Sequence, residues 1–115
     1  MRHNNKNKIL KRKRNPRRSL LRGLMNSIII YGEIETTLAK ARFLKPGIER
    51  LISVSRVSSL ENRRKTARVV SKPAVKKLFD ILGPRYKDRK GGYTRIIKLS
   101  PRKSDNSETA LIKFV

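Results

Sequence analysis

Gly91-Gly92-Tyr93-Thr94-Arg95-Ile96-Ile97-Lys98 decides how this chain is read. A double glycine frees the backbone to turn. The residues after it, Tyr93, Thr94, Ile96 and Ile97, are aromatic or β-branched and favour a pleated strand. Two cations, Arg95 and Lys98, ride on it. A strand from Tyr93 to Leu99 needs a partner. Thr109 to Val115 supplies one, with Ala110, Ile112 and Phe114 facing one way and Leu111 and Lys113 the other. The two segments are expected to pair antiparallel as a hairpin with a long loop. That loop, Ser100 to Ser107, carries Arg102 and Lys103.

Upstream the periodicity is helical. Pro73 opens a helix whose Val75, Leu78, Phe79 and Leu82 form a one-sided stripe, and Gly83-Pro84 is expected to end it. Phe79 reads as core, not as a stacking platform. The loop from Arg85 to Lys90 is basic, with Tyr86 as its aromatic residue. Before Pro73, Ser58 and Glu61 have capping-box spacing and start a short basic helix. Leu60, Ala67 and Val70 are expected inward, with Arg63, Arg64, Lys65 and Arg68 as its cations. Arg64 and Arg68 share a face and repel each other unless an anion lies opposite.

Leu38, Ala41, Leu44, Ile48, Leu51 and Ile52 keep one helical phase to about Ser55. Pro46 costs about 3 kcal/mol inside a helix. Because the phase survives Pro46-Gly47, one kinked helix is predicted. Glu33 to Thr37 reads either as a short strand or as an extended lead-in to a helix capped by Thr36 or Thr37. A first helix is expected to start at Asn15-Pro16 and to stop near Tyr31, with Gly32 as its left-handed cap. Leu20, Leu21, Leu24, Met25, Ile28 and Ile29 form its apolar stripe, and Arg17, Arg18 and Arg22 lie mostly on the other side.

The charge balance points to a polyanion. Thirty-one Lys and Arg stand against eight Asp and Glu, a formal net charge of +23 in 115 residues. Such a body repels itself when isolated. Nucleic acid fits as partner, because cations displace counterions from its dense phosphates. Residues 1–15 form a basic arm with Arg2, His3, Lys6, Lys8, Lys11, Arg12, Lys13 and Arg14. The arm buries too little to fold alone and is expected to order against RNA. Residues 16–115 form a single domain, without internal repeat or dividing linker. No apolar run approaches the length of a membrane span.

Catalytic chemistry finds little footing. Cysteine is absent, which excludes disulfides and thiolate metal sites, and the one histidine, His3, lies in the arm. No serine has an evident histidine base, the carboxylates form no acid–base pair, and the glycines form no phosphate-cradling fingerprint. We expect no enzyme, cofactor, metal site or small-molecule substrate.

Several blocks, in order, resemble the bacterial-type large-subunit ribosomal protein L-seventeen family. Met1-Arg2-His3 is similar to its opening, and Arg17-Arg18 with Leu20-Leu21-Arg22-Gly23-Leu24 to its first helix. Glu35-Thr36-Thr37-Leu38-Ala39-Lys40-Ala41 resembles its strand-to-helix segment. Leu51-Ile52, Asn62-Arg63-Arg64, Leu78-Phe79, Gly83-Pro84-Arg85-Tyr86 and Gly91 to Ile96 match further signatures, as do Arg102, Asp105-Asn106 and Ala110. The chain departs at Asn4-Asn5-Lys6-Asn7-Lys8, at Pro46-Gly47, and in stopping at Val115. These departures are expected of a divergent lineage or an organelle.

The resemblance implies an α+β fold: a helix, a short strand, three helices, then two C-terminal strands that complete a small mixed sheet. It implies a structural role on the large ribosomal subunit, beside neighbouring ribosomal proteins and bound to large-subunit rRNA. It carries RNA contact to Arg2, His3, Arg17, Arg18, Arg22, Arg63, Arg64, Arg85, Tyr93 and Arg95. The basic character of the arm, of the short helix and of the loops adds Lys6, Lys8, Lys11, Arg12, Lys13, Arg14, Arg68, Arg89, Lys90 and Arg102. The ribosome is expected to be cytoplasmic, with an organellar one as the other setting. A small basic DNA-binding, nucleoid-like protein has the same electrostatics, and a cationic membrane-active protein ranks third.

Overall fold

The computed structural model describes residues 10–115. Five α-helical segments and three strands follow in the order α1 (Arg14–Tyr31), β1 (Glu33–Thr37), α2 (Leu38–Ser55), α3 (Leu60–Ala67), α4 (Lys72–Lys77), α5 (Gly83–Arg85), β2 (Thr94–Lys98) and β3 (Thr109–Phe114). A π-helical turn, Leu78–Leu82, joins α4 to α5. The class is α+β, with helices layered on one face of a three-stranded sheet.

The strand order is β1-β3-β2, and both pairings are antiparallel. The hairpin of β2 and β3 forms as expected, and Glu33–Thr37 is a strand. The sheet is not mixed. β1 and β2 run in the same direction, but β3 lies between them, so no parallel pair is adjacent. The register places Ile112 between Ile34 and Ile96 on the inner face. Ala110, Ile112 and Phe114 are buried there, so the alternation read from the sequence holds.

α2 is the central support and packs against α1 and all three strands. Leu44, Ile48 and Ile52 have no exposed surface. Thr37 Oγ1 accepts from Lys40 N at 3.4 Å and caps the helix. Pro46 leaves the helix continuous. It occupies an exposed position, as does Arg42 one turn earlier, so water can reach the carbonyl that Pro46 cannot serve. α1 begins at Arg14 with Lys13 at its cap, so Arg14 and Asn15 belong to the helix and Asn15 does not cap it. Its end matches expectation: Gly32, at φ 83°, donates to Ile28 O at 2.8 Å.

Three local expectations fail for physical reasons. α3 is capped by Ser59, whose Oγ accepts from Asn62 N at 3.1 Å, one residue later than the Ser58–Glu61 pattern. That shift turns Leu60 outward to 65% exposure and exposes Ala67, while Thr66 and Val70 are buried. Gly83-Pro84 does not end the helix. The π turn widens the backbone where the Pro84 ring would crowd the preceding carbonyl, and Gly83 N bonds Leu78 O. Gly83 is needed for close approach: a Cβ there would lie 2.3 Å from Ser55 O of α2.

Candidate nucleic-acid interface

The basic residues fall into two sets, those spent on holding the fold and those left to solvent. The glycine turn and Tyr93 show the first kind of use, while Arg95 and Lys98 on the same stretch face solvent. Gly91 and Gly92 adopt φ 141° and 63°, a sharp reversal that side chains resist. The reversal delivers Tyr93 into the core at 1% exposure. Its hydroxyl donates to Arg89 O at 3.1 Å and accepts from Arg56 Nη1 at 3.2 Å. Its ring packs against Tyr86 at 5.3 Å between centroids. Tyr93, expected at the RNA surface, is therefore part of the scaffold. Strand pattern alone could not reveal which face of the glycine turn its ring would enter.

Other cations are also engaged inside the molecule: Arg56 and, among the expected contacts, Arg63, Arg85, Arg89 and Arg102. Arg56 Nη2 holds Lys87 O at 2.9 Å, which ties the basic loop to the end of α2. Arg89 Nε donates to Gly91 O at 3.0 Å. Arg85 lies 5.4 Å over the Tyr86 ring and donates to Val115 O at 3.3 Å. Arg63 sits 4.8 Å over Phe79 and bonds Ser58 Oγ at 3.1 Å. Arg102 forks onto Asp105 at 3.0 and 2.8 Å. That guanidinium, with the Ser107 backbone N–H, holds the Asp105 carboxyl well below the usual carboxylate range. Burial pushes the Tyr86 hydroxyl up, against the opposing pull of Arg85 and Arg89.

The second set is solvent-facing. Arg14, Arg18 and Arg22 follow one another at helical four-residue spacing along the exposed side of α1, while Arg17 is half-buried. Arg64 on α3 and Arg68 at its C-terminal cap border a groove with Leu60, Glu61 and Lys65. Lys11, Arg12, Lys13, Lys90 and Arg95 are exposed. Arg2, His3, Lys6 and Lys8 lie outside the described residues. Among the described residues only two ion pairs form, Lys65–Glu61 at 3.3 Å and Arg102–Asp105 at 2.8 Å. The remaining described cations form no ion pair and repel one another. An array of this kind suits a phosphate chain.

Sequence reasoning passed over Arg42, Arg50, Lys72 and Lys76, which are also exposed. Their signal was present, since each is a cation off its helix's apolar stripe. Among the described residues no cluster of His, Cys, Asp and Glu could hold a metal ion. No described helix is long and apolar enough to cross a membrane.

A family model described as Ribosomal protein L17 matches residues 20–115. The chain belongs to the ribosomal protein L17 family. The resemblance read from the ordered blocks is thereby borne out. The Large ribosomal subunit protein bL17 of Solibacter usitatus is 47% identical over all of this chain and 77% of its own length. The bL17 of Chloroflexus aggregans is 45% identical, with both chains covered in full. That of Gemmatimonas aurantiaca is 46% identical over all of this chain and 98% of its own. The matched span of the family model takes in every described element except the first turns of α1, and so includes the glycine turn, the π turn and the β2–β3 hairpin.

Proposed function

We propose that this protein is a structural, non-catalytic constituent of the large ribosomal subunit. It binds folded rRNA through the exposed cations of α1 and α3 and through the basic arm ahead of α1. Neighbouring ribosomal proteins meet its remaining surface, and its setting is the cytoplasmic ribosome of a bacterium. One observation carries the reading beyond family membership: thirty-one Lys and Arg face only eight Asp and Glu, and among the described residues just two ion pairs form. Free cations arrayed along two helices neutralise repulsion between RNA segments that pack closely. Arginine adds bidentate contact with phosphate oxygens. The deep groove of A-form RNA hides base edges, so recognition is by backbone shape, loops and junctions.

The basic arm, expected over residues 1–15 and shortened to 1–13 by the start of α1 at Arg14, orders on RNA ahead of the single domain. Arg64 and Arg68 carry more of the binding than Arg63, which is already stacked on Phe79. Sedimentation of the tagged protein from its own lysate, with a moderate-salt wash, tests the reading. Stoichiometric retention in the large-subunit peak is expected. Loss to the free or DNA-associated fraction overturns it. The joint change Arg64→Gln with Arg68→Gln should lower rRNA affinity and flatten its salt dependence by about 1 in log–log slope per cation. The helical circular-dichroism signal should not change.

A further inference from the structure

We infer that the C-terminal end of α1 forms a second RNA subsite, in which Tyr31 stacks on an unpaired base. This rests on the rRNA-binding reading and adds a different ligand feature to it. Tyr31 is 75% exposed, whereas Tyr86 and Tyr93 are buried. Among the described residues it is the one aromatic ring in the exposed class. It lines a cavity with Ile81, itself 53% exposed, and with Lys77, Arg85, Lys113 and Glu33. Three cations against one carboxylate make the rim attractive to a phosphodiester chain. The left-handed turn at Gly32 ends the helix beneath Tyr31, and the chain leaves at once into β1, so no further helical turn covers the ring.

The rim has built-in order. Lys77 Nζ donates to Ile30 O at 2.7 Å, which fixes its ammonium beside the last turn of α1. Lys113 lies opposite Glu33 in the sheet register and offsets that carboxylate. A ring open to solvent, an exposed apolar neighbour in Ile81 and cations at the edge are what a splayed-out nucleotide requires. The base stacks on the ring while its phosphates meet the cations. Duplex RNA cannot use such a site, because its bases are already stacked. Charge complementarity favours this ligand over a protein segment.

The test uses the full chain and two probes, single-stranded oligoadenylate and an A-form RNA duplex. Wild-type protein contains no tryptophan, so Tyr31→Trp introduces a unique reporter at an exposed position. Oligoadenylate should quench its fluorescence, and the duplex should not. Tyr31→Ala should weaken oligoadenylate binding by about 10-fold, and Tyr31→Phe should retain it. Duplex binding should stay unchanged in all three variants. Absence of quenching, or equal oligoadenylate affinity of Tyr31→Ala and wild type, overturns the subsite. Loss of large-subunit incorporation by Tyr31→Ala with single-strand binding intact also overturns it, in favour of protein docking. If wild-type protein binds neither probe, the rRNA reading itself fails; if only Tyr31→Ala matches wild type, that reading stands and the subsite alone falls.

Discussion

Two regions of this molecule use arginine in opposite ways. At the seam between the end of α2 and the 83–93 segment, Arg56 lies among the Tyr93 hydroxyl, Lys87 O and the close approach of Gly83 to Ser55. On α3 and at its C-terminal cap, by contrast, Arg64 and Arg68 are exposed, and neither makes an ion pair. The same side chain thus builds the fold in one place and is free for a partner in the other. Charge density is a poor guide to which is which. A sequence window shows cations, and only packing shows whether their donors are already satisfied.

The seam should break first. Gly83→Val places a Cβ 2.3 Å from Ser55 O, and a backbone atom cannot swing aside. The expected loss is about 3 kcal/mol or more, read as a fall in the denaturant midpoint. A neutral midpoint would mean that α5 shifts freely against α2 and that the seam is loose. The next effect in size sharpens the contrast. Arg56→Met keeps the aliphatic bulk and removes both donors, leaving Lys87 O and the Tyr93 hydroxyl short of a partner. About 2 kcal/mol is expected, with faster amide exchange in Gly92 and Tyr93. The salt slope of RNA binding should stay unchanged. A reduced slope would move Arg56 from the scaffold to the interface. Its Nε, buried without a partner, makes that residue the most informative single test of the division.

Much of the fold was legible because it depends on periodicity. The α2 phase through Pro46, the αL cap at Gly32 and the alternation of β3 all survived into the structure. What was lost depends on contacts between distant segments. Gly83-Pro84 carries the local signature of a helix end, yet the close contact with Ser55 and a π turn carry the chain onward. Ser58 and Ser59 offer competing caps, and one residue's difference decided whether Leu60 or Thr66 faced inward. The candidate site was legible as a class of residue, not as a surface. Tyr93 and Arg102 look identical to free contacts in one dimension. Tyr31 was read as the end of a helix and of a core-sized apolar patch from Ile28, yet it is exposed just before the cap.

The smallest expected effect lies in the β2–β3 loop, where a cation is engaged at the surface itself. Arg102 and Asp105 are each about half exposed, so their pair is screened and contributes little to global stability. It organises the loop locally: Asp105 Oδ1 also accepts from Ser107 N at 3.1 Å, and Asn106 takes φ 58°. The folded Asp105 carboxyl is depressed below its unfolded value, first by the Arg102 hydrogen bond and then by Ser107. Its contribution is therefore fully present above the ordinary carboxylate range, and is lost as pH falls through the depressed folded value. A carbon-detected NMR titration should show Asp105 protonating well below the ordinary carboxylate range, and Arg102→Gln should move it back up. Ordinary titration in the wild-type chain would mean that the fork is open in solution. Arg102 would then join Arg64 and Arg68 as a cation available to RNA, and the boundary between the two kinds of arginine would shift by that one residue.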